Sequence, residues 1–186
     1  MPLALRDSPR VTGILRRCYS HVEVADRDRN RGIGVTNLKR LFGRPDDLRV
    51  VVEALASTVG RADALASADT GGAPLAAVVA YQLGLPAVFV RETPKEHFLS
   101  YGGDPATNHP RLAGERLRPG TTVHLIDDLI HSGETLASAA RTLREAELTV
   151  GFASCLLIAP PTAGWPDNLA TAGIDEITAL TTTLKL

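Results

Sequence analysis

Only two cysteines, Cys18 and Cys155, occur in the 186 residues. They lack metal-type spacing and could form at most one bridge, which excludes a disulfide scaffold and fits a reducing compartment. Neither sign of charge is in excess: Lys+Arg 20 against Asp+Glu 21 leaves a formal net charge of −1. That balance argues against a general nucleic-acid binder and against a polybasic membrane-surface protein. A long hydrophobic run is also missing. The longest, from Ala73 to Val90, is interrupted by Gln82, Gly84 and Pro86 and is not a membrane span. Asp7 and Arg10 follow the opening Met-Pro-Leu-Ala-Leu-Arg and leave no apolar signal core. There is no internal repeat, no low-complexity tract and no Gly-x-x-x-x-Gly-Lys-Ser/Thr of the P-loop ATPases. What remains is ordinary: 44% hydrophobic and 22% charged residues, close to globular averages. A chain of this length buries roughly 70% of its unfolded surface. The expectation is one soluble, cytoplasmic domain that handles a small molecule and has no nucleic-acid or membrane partner.

From the middle onward one grammar repeats: a short apolar run, a Gly- or Asp-bearing turn, then an amphipathic stretch. The patterning predicts strands over 63–68, 86–90, 121–126, 149–158 and 174–180, and helices over 74–83, 134–146 and 165–172. Gly84 sits where a helix-terminating glycine would. Alternating strands and helices imply α/β architecture, a mostly parallel twisted sheet with helices on both faces. Residues 21–45 are polar and ragged and suit a small capping element. Residues 1–45 would then form an N-terminal helix and hood, and 46–186 the core. Residues 91–119 show no periodicity and are broken by Gly102, Gly103, Pro105, Pro110, Gly114 and Pro119; a loop that long is usually functional, often a lid.

In open α/β sheets ligands sit beyond the carboxyl ends of the strands, and the richest such turn follows the strand at 121–126. It reads Asp127-Asp128-Leu129-Ile130-His131-Ser132-Gly133-Glu134-Thr135. A buried strand delivers two adjacent carboxylates to its end, and a hydroxyl-Gly-x-hydroxyl turn then opens a long helix. Free N–H groups and the helix dipole make such a turn a phosphate site. Gly133 lets the backbone approach the anion, and Ser132 and Thr135 add hydroxyl donors. Two acids beside a phosphate cradle suit a phosphorylated sugar, whose ring hydroxyls the acids accept. Ordinary helix capping by Ser132 or Thr135 is the bland alternative for each residue singly. Asp127-Asp128 lacks the Asp-x-Asp spacing of phosphatase nucleophiles.

The segment from Val123 to Thr135 resembles the ribose-5-phosphate signature of the type I phosphoribosyltransferases, which bind 5-phosphoribosyl-1-pyrophosphate (PRPP). The resemblance implies that fold, with a small N-terminal hood, and places Asp127 and Asp128 on the ribose hydroxyls and Ile130, His131, Ser132, Gly133, Glu134 and Thr135 around the 5-phosphate. Thr70, Gly71 and Gly72 look like the family's pyrophosphate loop. The run Arg91-Glu92-Thr93-Pro94-Lys95-Glu96-His97 is similar to the lid of the orotate phosphoribosyltransferases, which implies PRPP binding by Arg91 and catalytic roles for Lys95 and His97 beside Asp127 and Asp128. It also implies Mg²⁺ held mainly by PRPP, with Asp127 or Asp128, and a homodimer whose lid serves the neighbouring site.

The base half departs from that pattern. His131 replaces a small hydroxyl residue, Glu92 a lysine and Phe98 a glycine; Ala25 lies near the position of a hood lysine. Only Val35-Thr36-Asn37-Leu38-Lys39 echoes the hood's end, and Ala159-Pro160-Pro161 follows the strand at 149–158 where an Asp-Arg pair is usual. A carboxylate loses its bidentate partner there. The expected function is transfer of phosphoribosyl to a base, to orotate if that is the acceptor. A purine or other heterocycle as acceptor, or a PRPP-binding regulator without turnover, are the alternatives.

Overall fold

The computed structural model describes residues 2–19, 21–25, 32–36, 38–68, 71–91, 111–114 and 116–186, with the backbone alone for 21–25 and 32–36. In chain order the elements are β1 (Leu3–Leu5), α1 (Pro9–Cys18), β2 (His21–Ala25), β3 (Gly32–Thr36), a 3₁₀ segment (Leu38–Gly43), α2 (Pro45–Ala56), β4 (Ala64–Ala68), α3 (Ala73–Leu83), β5 (Ala87–Val90) and β6 (Leu112–Gly114). There follow β7 (Thr122–Ile130), α4 (Glu134–Glu145), β8 (Thr149–Ile158), a 3₁₀ turn (Pro161–Ala163), α5 (Trp165–Thr171), β9 (Glu176–Thr182) and a closing 3₁₀ turn (Thr183–Lys185).

Seven strands form one sheet in the order β1-β9-β8-β7-β4-β5-β6. All neighbours are parallel except β5 and β6, so the expected α/β class, a mostly parallel sheet with helices on both faces, is the one observed. β2 and β3 pair antiparallel as a separate ribbon. The two crossovers that matter diverge: β4 leads through α3 to β5 on one side, and β7 leads through α4 to β8 on the other. That divergence opens a crevice at the carboxyl ends of β4 and β7, where ligands collect in such sheets.

Side-chain size explains the layering. β4 is Ala-Leu-Ala-Ser-Ala, buried throughout. Its alanines Ala64, Ala66 and Ala68 join one core cluster with Ala137, Ala139 and Ala140 of α4, and small residues on both elements allow close approach. Leu65, pointing the other way, packs with α1, α2 and α3 in the second cluster. α4 presents Leu136, Ala140 and Leu143 to the sheet at helical spacing; burying a leucine fully contributes about 2 kcal/mol. Gly84 ends α3 in the left-handed region at φ 66°, as the sequence predicts.

Three expectations are corrected. The strand predicted to stop at Ile126 continues to Ile130, so Asp127 and Asp128 lie in β7 and not in a turn. Pairing with β8 persists through Leu129↔Leu157 and Ile130↔Ile158, and a paired edge overrides the poor strand propensity of aspartate. The aperiodic stretch 91–119 contains β6, three residues too short to show periodicity, pinned by the Arg91 N–H donating to the Arg111 carbonyl at 2.7 Å. Finally, the N-terminal Leu3–Leu5 forms an edge strand parallel to β9, and Leu38 and Leu41, inside the polar region 21–45, are core residues.

One buried polar chain crosses the second core. His124, only 3% exposed, shares a 2.8 Å hydrogen bond with Ser154 Oγ through Nε2, and Thr58 Oγ1 lies 2.8 Å from the same oxygen. Burial lowers the imidazole from 6.5 to about 4. The unfolded chain therefore takes up this proton before the native state does, and stability falls as pH drops from about 6.5 towards 4, by up to about 3 kcal/mol. His124→Gln should flatten this part of the stability–pH curve in urea titrations; an undiminished acid loss would place its origin elsewhere.

Candidate functional site

The crevice between β4 and β7 is walled by the two acids and by the loop that follows β4. Asp127 is buried at 7% exposure, and its Oδ1 accepts the Asp128 N–H at 2.9 Å; Asp128 Oδ1 accepts the Leu129 N–H at 2.9 Å. Each carboxylate is thus tied to the next peptide and held at the strand end. Burial foremost, and then the Asp128 charge, hold the Asp127 carboxyl well above the usual carboxylate range. Cys155, paired across the sheet with Asp127, is fully buried, and its thiol is pushed up by burial and by Asp127. It is not poised as a nucleophile.

Gly71 and Gly72 are glycines for lack of room. A Cβ on Gly71 would lie 2.5 Å from Asp128 Oδ1, and one on Gly72 2.7 Å from the Ile126 carbonyl oxygen. The loop therefore rests directly on the acid-bearing strand, and its backbone bounds the crevice. A cavity of about 300 Å³ results, lined by Gly71, Asp127, Asp128, Thr135 and Lys39. Lys39, of the 3₁₀ segment, is a cation that the spacing of motifs did not single out; its only signal was membership of the short Val35–Lys39 echo.

Beyond β7 a second, smaller cavity of about 80 Å³ lies against His131, Ser132, Gly133 and Thr135. Gly133 is the N-cap of α4 at φ 78°, a conformation in which side chains are strained. The Glu134 N–H reaches Ser132 Oγ at a long 3.4 Å. The expected cradle residues separate here: Ile130 turns its side chain into the apolar core at 1% exposure, so only its backbone could serve an anion. Glu134 lines a third, larger cavity of about 610 Å³ with Arg91, Arg111, Arg141 and Ser138.

Thr135 lines all three cavities, which makes it the hinge of the crevice. The structure therefore brings Gly71, Gly72, Asp127, Asp128 and the 131–135 turn together, and sets Arg91 in the adjoining, cation-rich cavity. Arg111, unmarked in sequence, donates from Nε to the Arg91 carbonyl at 3.0 Å and from Nη2 to Ser138 Oγ at 3.2 Å. Thr70, Lys95 and His97 lie outside the described residues. Among the described residues no group of three or more His, Cys, Asp or Glu side chains converges as a metal cage, and no helix is long and apolar enough to cross a membrane.

Acids at a strand end, a glycine pair against them and an anion turn opening the next helix coincide with a match of residues 47–177 to the model of the phosphoribosyl transferase domain. The chain belongs to the phosphoribosyl transferase domain family. It is similar to the orotate phosphoribosyltransferase of Phocaeicola vulgatus, 37% identical over 105 residues that cover 56% of this chain and 43% of that protein. It also resembles the adenine phosphoribosyltransferase of Clavibacter michiganensis subsp. michiganensis, 36% identical over 123 residues, 62% of this chain and 68% of that one. The solved orotate phosphoribosyltransferase of Aeropyrum pernix shares the fold, with a TM-score of 0.72 at 22% identity over 92% of this chain and 93% of that one. The chain spans under half the length of the curated relatives from Phocaeicola and Bacteroides that it matches.

Proposed function

We propose that this phosphoribosyl transferase domain moves 5-phosphoribosyl from PRPP to a ring nitrogen of a base, most simply orotate, and releases pyrophosphate. The observation that carries the reading is the joint placement of Asp127-Asp128, the Gly71-Gly72 loop and the 131–135 turn at the topological switch of the sheet. In this reading the turn receives the 5-phosphate through backbone N–H groups and the Ser132 and Thr135 hydroxyls. Asp127 and Asp128 accept the ribose hydroxyls. The C1–O bond breaks with its electron pair leaving on pyrophosphate, and the acceptor nitrogen's electron pair forms the N–C1 bond as the proton that nitrogen carried passes to solvent. Positive charge growing at C1 is stabilised by the two carboxylates. The Thr70-Gly71-Gly72 loop meets the leaving group, with Arg91, Lys95 and His97 closing over it to exclude water.

The donor set also fits Mg²⁺. Two adjacent hard carboxylates, with no further cluster of protein ligands among the described residues, match a cation held by one or two acids plus substrate oxygens. When bound, it would neutralise charge on the departing pyrophosphate. The working form in this reading is a cytoplasmic homodimer in which the lid serves the neighbouring site.

A purine acceptor is the second reading. β8 runs into Ala159-Pro160-Pro161, where Ala159 is buried and the three residues themselves offer no cation for a carboxylate, and the Clavibacter relative is an adenine enzyme by name. Pyrophosphate release measured with Mg²⁺, PRPP and either orotate, uracil, adenine or hypoxanthine decides between them. Release with orotate is expected. Release with adenine alone would assign the purine reading, and tight PRPP binding without release from any base would make the domain a regulator.

A further inference from the structure

The 131–135 turn is held by α5, whose Asn168 also lines the adjoining cavity with Arg91 and Arg111. Asn168 Nδ2 donates to the Ser132 carbonyl at 2.8 Å. That carbonyl shares a peptide plane with the Gly133 N–H, and in a trans peptide the two point in opposite directions. Drawing the Ser132 oxygen towards α5 therefore turns the Gly133 N–H away from α5. Among the described residues no acceptor for that N–H is present.

The rest of α5 fixes Asn168 itself. Trp165 Nε1 donates to the Ala159 carbonyl at 3.0 Å, and the Ala159 N–H donates to the Ile130 carbonyl at 2.8 Å. α5 is thereby tied to the ends of both β8 and β7. Leu169 and Trp165 fill the space behind Gly133, where a Cβ would lie 2.9 Å from Leu169 Cγ and 3.2 Å from Trp165 Cβ. The left-handed Gly133 and the α5 side chains thus define one arrangement of the turn.

We propose that Asn168 is a positioning residue for the sugar phosphate: by holding the Ser132 carbonyl it aims the Gly133 N–H into the 131–135 cradle. This rests on the reading of that cradle as the 5-phosphate site. One aimed N–H on a phosphate that keeps its charge throughout the reaction is a contact made alike before and during the chemical step, and losing it acts on KM more than on kcat.

The test uses Asn168→Asp, which keeps the shape of the side chain and removes the donor while the carboxyl is ionised. At pH 8 it is expected to weaken ribose 5-phosphate binding, by calorimetric titration, about tenfold or more. Pyrophosphate affinity should stay within about twofold, and KM for PRPP should rise with kcat within a few-fold. A variant that binds ribose 5-phosphate as the parent does overturns the assignment. So does equal weakening of ribose 5-phosphate and pyrophosphate, or a fall in kcat with KM unchanged, each of which marks Asn168 as a merely structural contact. A parent protein that binds neither ligand would overturn the phosphoribosyl reading and this assignment together.

Discussion

Replacing Asp128 with Asn is expected to lower kcat by about 10²–10³-fold with the fold intact, because it removes charge but no bulk from the cavity proposed to receive the sugar. Asp128 Oδ1 accepts the Leu129 N–H, and an amide oxygen accepts it as well, so the strand end keeps its shape. The same change acts on its neighbour. Asp127 is raised first by burial and second by the Asp128 charge; without that charge it falls, though burial still holds it above the ordinary range. A carboxyl raised in the folded state binds its proton more tightly there than in the unfolded chain, so its contribution to stability is greatest at acid pH and is lost as pH rises through the raised value. Asp127→Asn, neutral throughout, is therefore expected to melt higher than the parent at pH 8 and to be as inactive as Asp128→Asn. Quenched-flow turnover and calorimetric melts at pH 5 and 8 check both statements. Undiminished kcat in Asp128→Asn would remove the sugar-facing role, and a lower melting temperature for Asp127→Asn at pH 8 would remove the cost assigned to the buried charge.

Which parts of this were legible before the structure follows from the range of the interactions that form them. The strand Thr149–Ile158 declares itself through its long apolar run, buried over most of its length, whereas Ala64–Ala68 is only weakly marked, being short and alanine-rich. Helix α4 declares itself through its 3.6-residue stripe and α3 through its terminal glycine. The three-residue edges β1 and β6 do not, since their pairing partners are β9 and β5 and three residues carry no period. Asp127 and Asp128 were misplaced in a turn for the converse reason: the residue type says turn, while eight paired positions along β8 hold them in strand.

The candidate site divides along the same line. Asp127, Asp128 and the 131–135 turn are contiguous, so their chemistry is written in one stretch of chain. Lys39 reaches the crevice, and Arg111 and Asn168 the adjoining cavity, from three separate parts of the chain; apart from the short Val35–Lys39 echo, nothing local in the sequence distinguishes them from surface residues. The glycine pair is intermediate. The sequence marks Gly71 and Gly72 by resemblance to a pyrophosphate loop, whereas their contact with the acid-bearing strand is a fact that only the packed structure holds.

That contact makes Gly72→Ala the most damaging small substitution expected here. Gly72 has φ −77°, open to any residue, so the change carries no backbone strain. Its effect would be steric alone. The added methyl carbon would stand 2.7 Å from the Ile126 carbonyl oxygen and 3.0 Å from Asp127 Cα. Both are backbone atoms of a strand paired on each side, and neither can turn aside as a flexible side chain could. The loop must therefore lift, taking its N–H groups away from the leaving group while the acids stay in place. A displacement of this order at a positioning element lowers kcat/KM by about 10²-fold. Gly60→Ala, where the added carbon meets nothing within 4 Å, is the matched control and should leave kinetics unchanged. Side-by-side kcat/KM for PRPP and melting curves check the pair. Normal kinetics in Gly72→Ala would mean that the loop works without touching β7, and that the crevice is wider in action than its resting geometry.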